Sequence, residues 1–204
     1  MSKRDWIAII IIGAGVGLLI QPILGNNLPA HDLPYLTLPV RFGMFLFFMI
    51  FAPFALFIAR MLSRWFRGIY QFAQFAAVGT LNSFIDIGVF NLETALFGST
   101  MISNVLFATF KAISFLFGTT NSFVWNKYWT FDSRDKTNAG EIGGFYGIAI
   151  VGWIINVTVA TLVKAAGPVD SKTWINIVAP LAGIAASFVW NYTGYKLWVF
   201  KRRN

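Results

Sequence analysis

The sequence predicts an all-α integral membrane protein with six transmembrane helices, arranged as an N-terminal two-helix hairpin plus a duplicated four-helix core of parallel repeats. Three observations predict it. First, 57% of the 204 residues are hydrophobic and only 12% are charged, where a soluble domain carries roughly 25% charged residues. Second, six apolar runs are each long enough to cross the hydrocarbon core of a bilayer, which takes about 17–25 residues. Third, a five-residue word ends two of those runs. With 22 Phe and 8 Trp, this apolar surface exceeds what one soluble core of this length hides. Lipid accepts a helix that is apolar all round.

The first run spans residues 6–24, behind Lys3 and Arg4. It is too long for a signal-peptide core and lacks a small-residue cleavage site, so a retained span is expected. A turn-rich loop containing Pro29 and Pro34 leads to the second run, 36–58. The third and fourth runs, 72–97 and 101–124, are separated only by Gly98-Ser99-Thr100 and form a tight helical hairpin. The fifth run is 142–163 and the sixth 174–195. Residues 61–71, with Arg64, Arg67 and flanking aromatics, are expected either to lie in the headgroup plane or to extend a neighbouring span. The chain is thus read as residues 1–66, a two-span hairpin with a basic interfacial connector, followed by a four-span domain, 67–204.

The basic residues orient these spans. Lys3, Arg4, Arg60, Arg64, Arg67, Lys127, Arg134, Lys136, Lys196, Lys201, Arg202 and Arg203 fall on one side of the six-span arrangement. Only Arg41, Lys164 and Lys172 fall on the other, with Lys111 inside a span. Cytoplasmic loops carry the excess of Lys and Arg. Both termini are therefore expected in the cytoplasm, in a multi-pass protein of the cytoplasmic membrane. The net charge of +8 is read as this bias and as contact with anionic headgroups, not as nucleic-acid binding.

Ser122-Phe123-Val124-Trp125-Asn126 recurs as Ser187-Phe188-Val189-Trp190-Asn191. Each copy closes an even-numbered span and leads into an aromatic exit, Lys127-Tyr128-Trp129-Thr130-Phe131 and Lys196-Leu197-Trp198-Val199-Phe200. Two hairpins in one orientation form parallel repeats, an arrangement in which transporters bind substrate at the repeat interface. A duplicated packing unit without transport is the alternative reading of the words.

Several polar residues fall inside the apolar runs. Counting from the hairpin turn puts Asp86 and Lys111 at matching depth, so an ion pair between them is expected. Asn82 lies one turn before Asp86 on the same face. With Asn121, Asn156 and Asn176, these residues outline a polar path for a substrate, although interhelical amide bonds also serve packing. Glycines at 13, 15 and 17 permit close helix approach. At the basic face, Lys127, Asn126, Trp129, Arg64, Arg67, Arg134, Asn191 and Lys196 are candidates to meet a phosphate headgroup. There is no Cys and one His, and neither a P-loop nor a metalloprotease or nucleophile-elbow motif. A protein without enzymatic activity, cofactor or metal is expected.

The stretch from Gln74 through Val78-Gly79, Asn82 and Asp86, followed by Asn126-Lys127-Tyr128-Trp129-Thr130-Phe131 and the closing Trp198-Val199-Phe200, resembles the GtrA-like family over about residues 70–201. The resemblance implies a role in cell-surface polysaccharide synthesis, as a flippase for polyprenyl-phosphate-linked sugars or as an aid to the glycosyltransferases that use them. It implies that Asn82, Asp86, Asn126, Lys127 and Trp129 carry the family pattern. The chain departs from that pattern in its two extra N-terminal spans. It also inserts Tyr192-Thr193-Gly194-Tyr195 in the second copy, and has Ser122 and Ser187 where Asn is expected. The expected partners are a polyprenyl-phosphate-linked sugar and membrane lipids, with a glycosyltransferase or a second copy in a homodimer as further options. Two alternatives stand beside transport of lipid-linked sugar. One is a non-transporting partner of a glycosyltransferase. The other is a small four-span cation exporter with Asp86 or Glu93 as proton carrier.

Overall fold

The computed structural model describes residues 1–27, 35–97, 104–167 and 178–200. Among these, the chain forms six α-helices and no strand. They are α1 (Lys3–Asn27), α2 (Leu38–Leu62), α3 (Ile69–Phe97), α4 (Asn104–Trp125), α5 (Ala139–Ala166) and α6 (Ala179–Gly194). Two wider π-turns, Asn126–Thr130 and Tyr195–Val199, continue α4 and α6. The helices follow the six expected runs to within a turn. The hairpin turn at 98–100 and the start of the sixth run, with Asn176, lie outside the described residues.

Among the described residues, four helices are long and apolar enough to cross a membrane: Lys3–Leu24, Leu38–Leu62, Ile69–Glu93 and Ala139–Val163. Their mean hydropathies are 2.5, 2.4, 1.3 and 1.9. The low value belongs to α3, which carries Asn82, Asp86, Asn91 and Glu93. α2 buries only Pro53, Leu56 and Ala59 within the protein, while Ile50 and Phe54 are 64% and 60% exposed. Water would not tolerate so continuous an apolar face. Inside lipid, every backbone donor and acceptor of a helix is already satisfied. The chain is a multi-pass membrane protein.

Packing divides the chain into two units, Met1–Asp132 and Ser133–Asn204. In the first, α1 lies against both α2 and α3, and α3 against α4. Glycine makes the approach of α1 possible. A Cβ at Gly13 would come within 2.5 Å of the Phe48 carbonyl oxygen, and one at Gly17 within 2.9 Å of Phe45 Cα. These two positions are one turn apart and face α2. On another side, Gly15 sits under Leu81 of α3. Ile9, Ile12, Val16, Leu56, Val78 and Leu81 fill the space between the three helices. In the second unit, α5 packs along α6, and Phe145 stacks on Tyr195 with centroids 4.1 Å apart.

The 61–71 segment is not a separate helix: its two ends extend the neighbouring spans and its middle is a turn. α2 ends at Leu62, residues 63–68 form a compact turn, and α3 begins at Ile69. Gly68, whose φ of +89° lies in a region that side chains disfavour, breaks the helical path immediately before α3. Arg64, Trp65, Phe66 and Arg67 are all exposed on this turn.

The glycine contacts set a stability test. Gly13→Val forces a branched side chain into the α2 backbone and is expected to cost about 1–3 kcal/mol. Gly43→Ala, where a Cβ meets nothing within 4 Å, is expected to be neutral or slightly stabilising. Thermal unfolding in detergent reads both, and equal melting temperatures for the two variants would exclude the close α1–α2 approach.

Candidate functional site

A polar seam runs between α3 and α4. Asn121 Nδ2 donates to Asn82 Oδ1 at 2.6 Å. The hydroxyl of Ser114, a residue with no exposed surface, donates to Asp86 Oδ1. Between these two bonds, a Cβ at Gly118 would lie 3.1 Å from the Asn82 carbonyl oxygen and 3.5 Å from Asp86 Cβ. Ser114, Gly118 and Asn121 are spaced by four and three residues, so they share one face of α4. Asn82 and Asp86 occupy the facing side of α3. Two small groups let the helices approach, and two hydrogen bonds keep the polar atoms satisfied in lipid.

This register shifts the depth count behind one expectation, while the expected Asp86–Lys111 ion pair falls on a side chain outside the described residues. Ser114, not Lys111, is level with Asp86, which puts the Lys111 backbone about one turn, roughly 4.5 Å, farther toward the hairpin turn. The depth count assumed a turn centred near Ser99. The interhelical bonds put the midpoint about one to two and a half residues later, with Gly118 packed against Asn82 and Asp86. The Lys111 side chain itself lies outside the described residues.

A second polar cluster forms where the N-terminus of α1, the start of α3 and the first π-turn meet. Asp5 is its centre. Its Oδ2 accepts from the Ser2 amide and hydroxyl, both at 2.8 Å. Its Oδ1 accepts from Trp129 Nε1 at 3.1 Å and from Gln74 Nε2 at 3.3 Å. Gln71 Nε2 donates to the Thr130 carbonyl at 3.1 Å, and Arg4 pairs with Asp132 at 2.8 Å. The N-terminus, the α2–α3 turn bearing Arg64 and Arg67, and the end of α4 therefore gather at one end of this unit.

The π-turns close both hairpins in the same way. The Phe131 amide donates to the Asn126 carbonyl at 2.9 Å, and the Phe200 amide to the Tyr195 carbonyl at 2.8 Å. Each places Lys second and Trp fourth. Burial then separates them. Asn126 and Lys127 have no exposed surface and Trp129 is buried. Lys196 is exposed, donates to the Tyr192 hydroxyl at 3.3 Å, and neighbours a Trp198 that is 62% exposed. Lys127 therefore does not face the headgroup region as a surface cation. The four-residue insertion explains the spacing of the tryptophans. Trp125 meets Trp129 edge-on at 5.8 Å, whereas Trp190 meets Trp198 at 5.6 Å across one extra turn.

In the second unit, Asn156 Nδ2 donates to Ser187 Oγ at 3.3 Å. The Trp190 indole donates to the Ile148 carbonyl at 3.1 Å. Asn191 packs against Gly152, where any side chain would collide with its amide. α5 has no acidic or basic residue between Glu141 and Lys164, and α6 has none. The seam with a carboxylate belongs to the first hairpin alone.

Sequence reasoning missed Asp5, Gln71, Gln74 and Ser114. A signal for Asp5 existed: a buried indole N–H needs an acceptor, and Asp5 is an isolated acid at the basic end of an apolar run.

The family model for the GtrA/DPMS transmembrane domain matches residues 74–200. The chain belongs to the GtrA family. It is 31% identical over 132 residues to the uncharacterized membrane protein YngA of Bacillus subtilis (strain 168), an alignment covering 65% of this chain and 80% of that protein. No solved structure matches. The matched region contains the α3–α4 seam and both π-turns. Asp5 lies outside it.

Asp5→Ala leaves the Trp129 indole and the Gln74 amide without their acceptor. It is expected to cost about 1–3 kcal/mol and to shift Trp fluorescence, while Asp5→Asn, which keeps Oδ1, costs less. An unchanged melting temperature in Asp5→Ala would show that the node does not hold α1.

Proposed function

We propose that this GtrA-family protein moves a polyprenyl-phosphate-linked sugar across the cytoplasmic membrane for surface glycan synthesis. The observation that carries the reading is the Asn82–Asn121 and Asp86–Ser114 seam inside otherwise apolar helices. A charged side chain at hydrocarbon depth costs about 2.5–3.5 kcal/mol even on lenient scales, and such groups generally serve function. Amides and hydroxyls are also the groups that exchange hydrogen bonds with a sugar's own hydroxyls.

In this reading both termini are cytoplasmic, which the excess of basic residues on their side favours. The domain of residues 67–204 carries the transport path, and residues 1–66 brace it. The phosphate meets the basic end first, where Arg64 and Arg67 are exposed. Lys127, buried within the π-turn, adds positive potential from below. The sugar passes along the seam while the polyprenyl chain stays in lipid. Asn156, Asn191 and Lys196 offer a second set of polar contacts in the other hairpin. Movement is passive or coupled to an ion, since no nucleotide-binding motif is present in the sequence.

Reconstitution with a fluorescent polyprenyl-phosphate glycoside tests this. Transbilayer movement is expected to exceed that of empty liposomes. Asp86→Asn and Asn121→Ala are expected to slow it by about tenfold, the effect of removing one charge-assisted or buried hydrogen bond. Movement no faster than in empty liposomes defeats the proposal. If Asp86→Asn leaves surface glycosylation intact in cells while changes in the 63–68 turn abolish it, the chain acts as a partner of a glycosyltransferase instead.

A further inference from the structure

We propose that the turn between α2 and α3 is a docking surface for the anionic phospholipids of the bilayer leaflet in which it lies. This inference stands apart from the transport reading, since it concerns the lipid that surrounds the protein and not a lipid that is carried. The stretch from Arg60 to Arg67 holds three arginines and no acid. All three arginines are exposed, and Trp65 and Phe66 are 71% and 63% exposed. The helices on either side are both apolar and of spanning length. The turn that joins them therefore lies where hydrocarbon gives way to headgroups.

The turn is ordered by its own backbone. The Ser63 amide donates to the Ala59 carbonyl, the Arg64 amide to that of Met61, and the Trp65 and Phe66 amides to that of Leu62. The Ile69 amide donates to the Phe66 carbonyl, and Gly68 redirects the chain into α3. Backbone donors satisfied in this way can sit at the edge of the hydrocarbon. The Arg60 guanidinium lies over the Tyr70 ring, 5.2 Å from its centroid, which fixes that charge beside the turn.

The acids at this end do not neutralise the surface. Asp132 pairs with Arg4, and Asp5 accepts from Ser2, Gln74 and Trp129. Among the described residues Arg60, Arg64 and Arg67 form no ion pair. The two aromatic side chains decide which anion fits. An acidic protein would match the arginines, but it would have to reach down to the membrane surface to cover Trp65 and Phe66. Anionic lipid answers both at once. Its phosphate meets the planar guanidinium fork, while the rings settle at headgroup level beside the upper acyl chain. Because the arginines are exposed and not enclosed, selection is by charge and not by headgroup shape.

The test uses the full-length protein in phosphatidylcholine nanodiscs. Brominated phosphatidylglycerol or brominated phosphatidylcholine is mixed in at equal mole fraction. Trp65 is one of 8 tryptophans, and its emission is the difference between wild type and Trp65→Phe. Phosphatidylglycerol is expected to quench that emission about fivefold more effectively than phosphatidylcholine, the preference that one cation beside an anionic leaflet supplies. The double variant Arg64→Glu/Arg67→Glu is expected to bring the two lipids to parity, whereas Arg64→Lys/Arg67→Lys keeps the preference. Salt at about 1 M, which cuts the screening length to roughly 3 Å, is expected to erase it in the wild type without any substitution. Equal quenching by the two lipids in the wild type overturns the proposal. So does a preference that neither the double glutamate variant nor salt reduces. Quenching by neither lipid puts Trp65 outside the bilayer and overturns it in favour of an acidic protein partner. None of these outcomes depends on transbilayer movement of a lipid-linked sugar.

Discussion

The Asp5 carboxylate is the point on which the first unit turns. It joins three pieces of chain that are far apart in sequence: the N-terminus, the start of α3 and the π-turn after α4. A carboxylate near lipid is costly unless its oxygens are filled, and four donors fill them. A buried indole likewise needs an acceptor, and Asp5 supplies it to Trp129. Each group removes the other's desolvation penalty. Once the node forms, α1 cannot slide, and Gly13 and Gly17 are held against α2 where no side chain fits.

Asp5 also joins the two parts of the chain that family membership separates. The matched region begins at residue 74, and Gln74 is itself a donor to Asp5. The N-terminal hairpin is thus bonded to the first residue of the family domain and to the Trp of its aromatic signature. A helix that composition presents as an extra span behaves as a structural wall of that domain's basic end.

The two hairpins share a closing device and differ in content. Both end on a π-turn with Lys second and Trp fourth. A π-turn adds a residue per hydrogen-bonded ring and so rotates the chain beyond it, which brings each Trp back onto an earlier one. The first hairpin buries both Lys127 and Trp129, the latter against α1, and places a carboxylate in its seam. The second leaves Lys196 and Trp198 exposed and contains only neutral polar groups. Duplicated words have therefore led to unequal halves, because burial depends on neighbours that the words do not contain.

Helix number, limits and class were legible because each depends on local composition: an apolar run of sufficient length forms a helix in lipid whatever surrounds it. Asn82 and Asn121 were legible as polar groups inside apolar runs, but not as a bonded pair, which the helix register decides. The level of Lys111 was not, because a shift of one turn in the hairpin leaves the apolar pattern unchanged and is decided by Gly118 packing against Asn82 and Asp86. Nor was the burial of Lys127, whose neighbours suggest an exposed cationic face. Composition and pattern alone were enough for six helices, a basic bias and a repeated aromatic exit. The packed helices were needed to show that Asp5 grips Trp129 across 124 positions and that one of two similar lysines is enclosed. Such bonds depend on how helices meet, and apolar periodicity records which residues prefer lipid or core without recording which helix they touch.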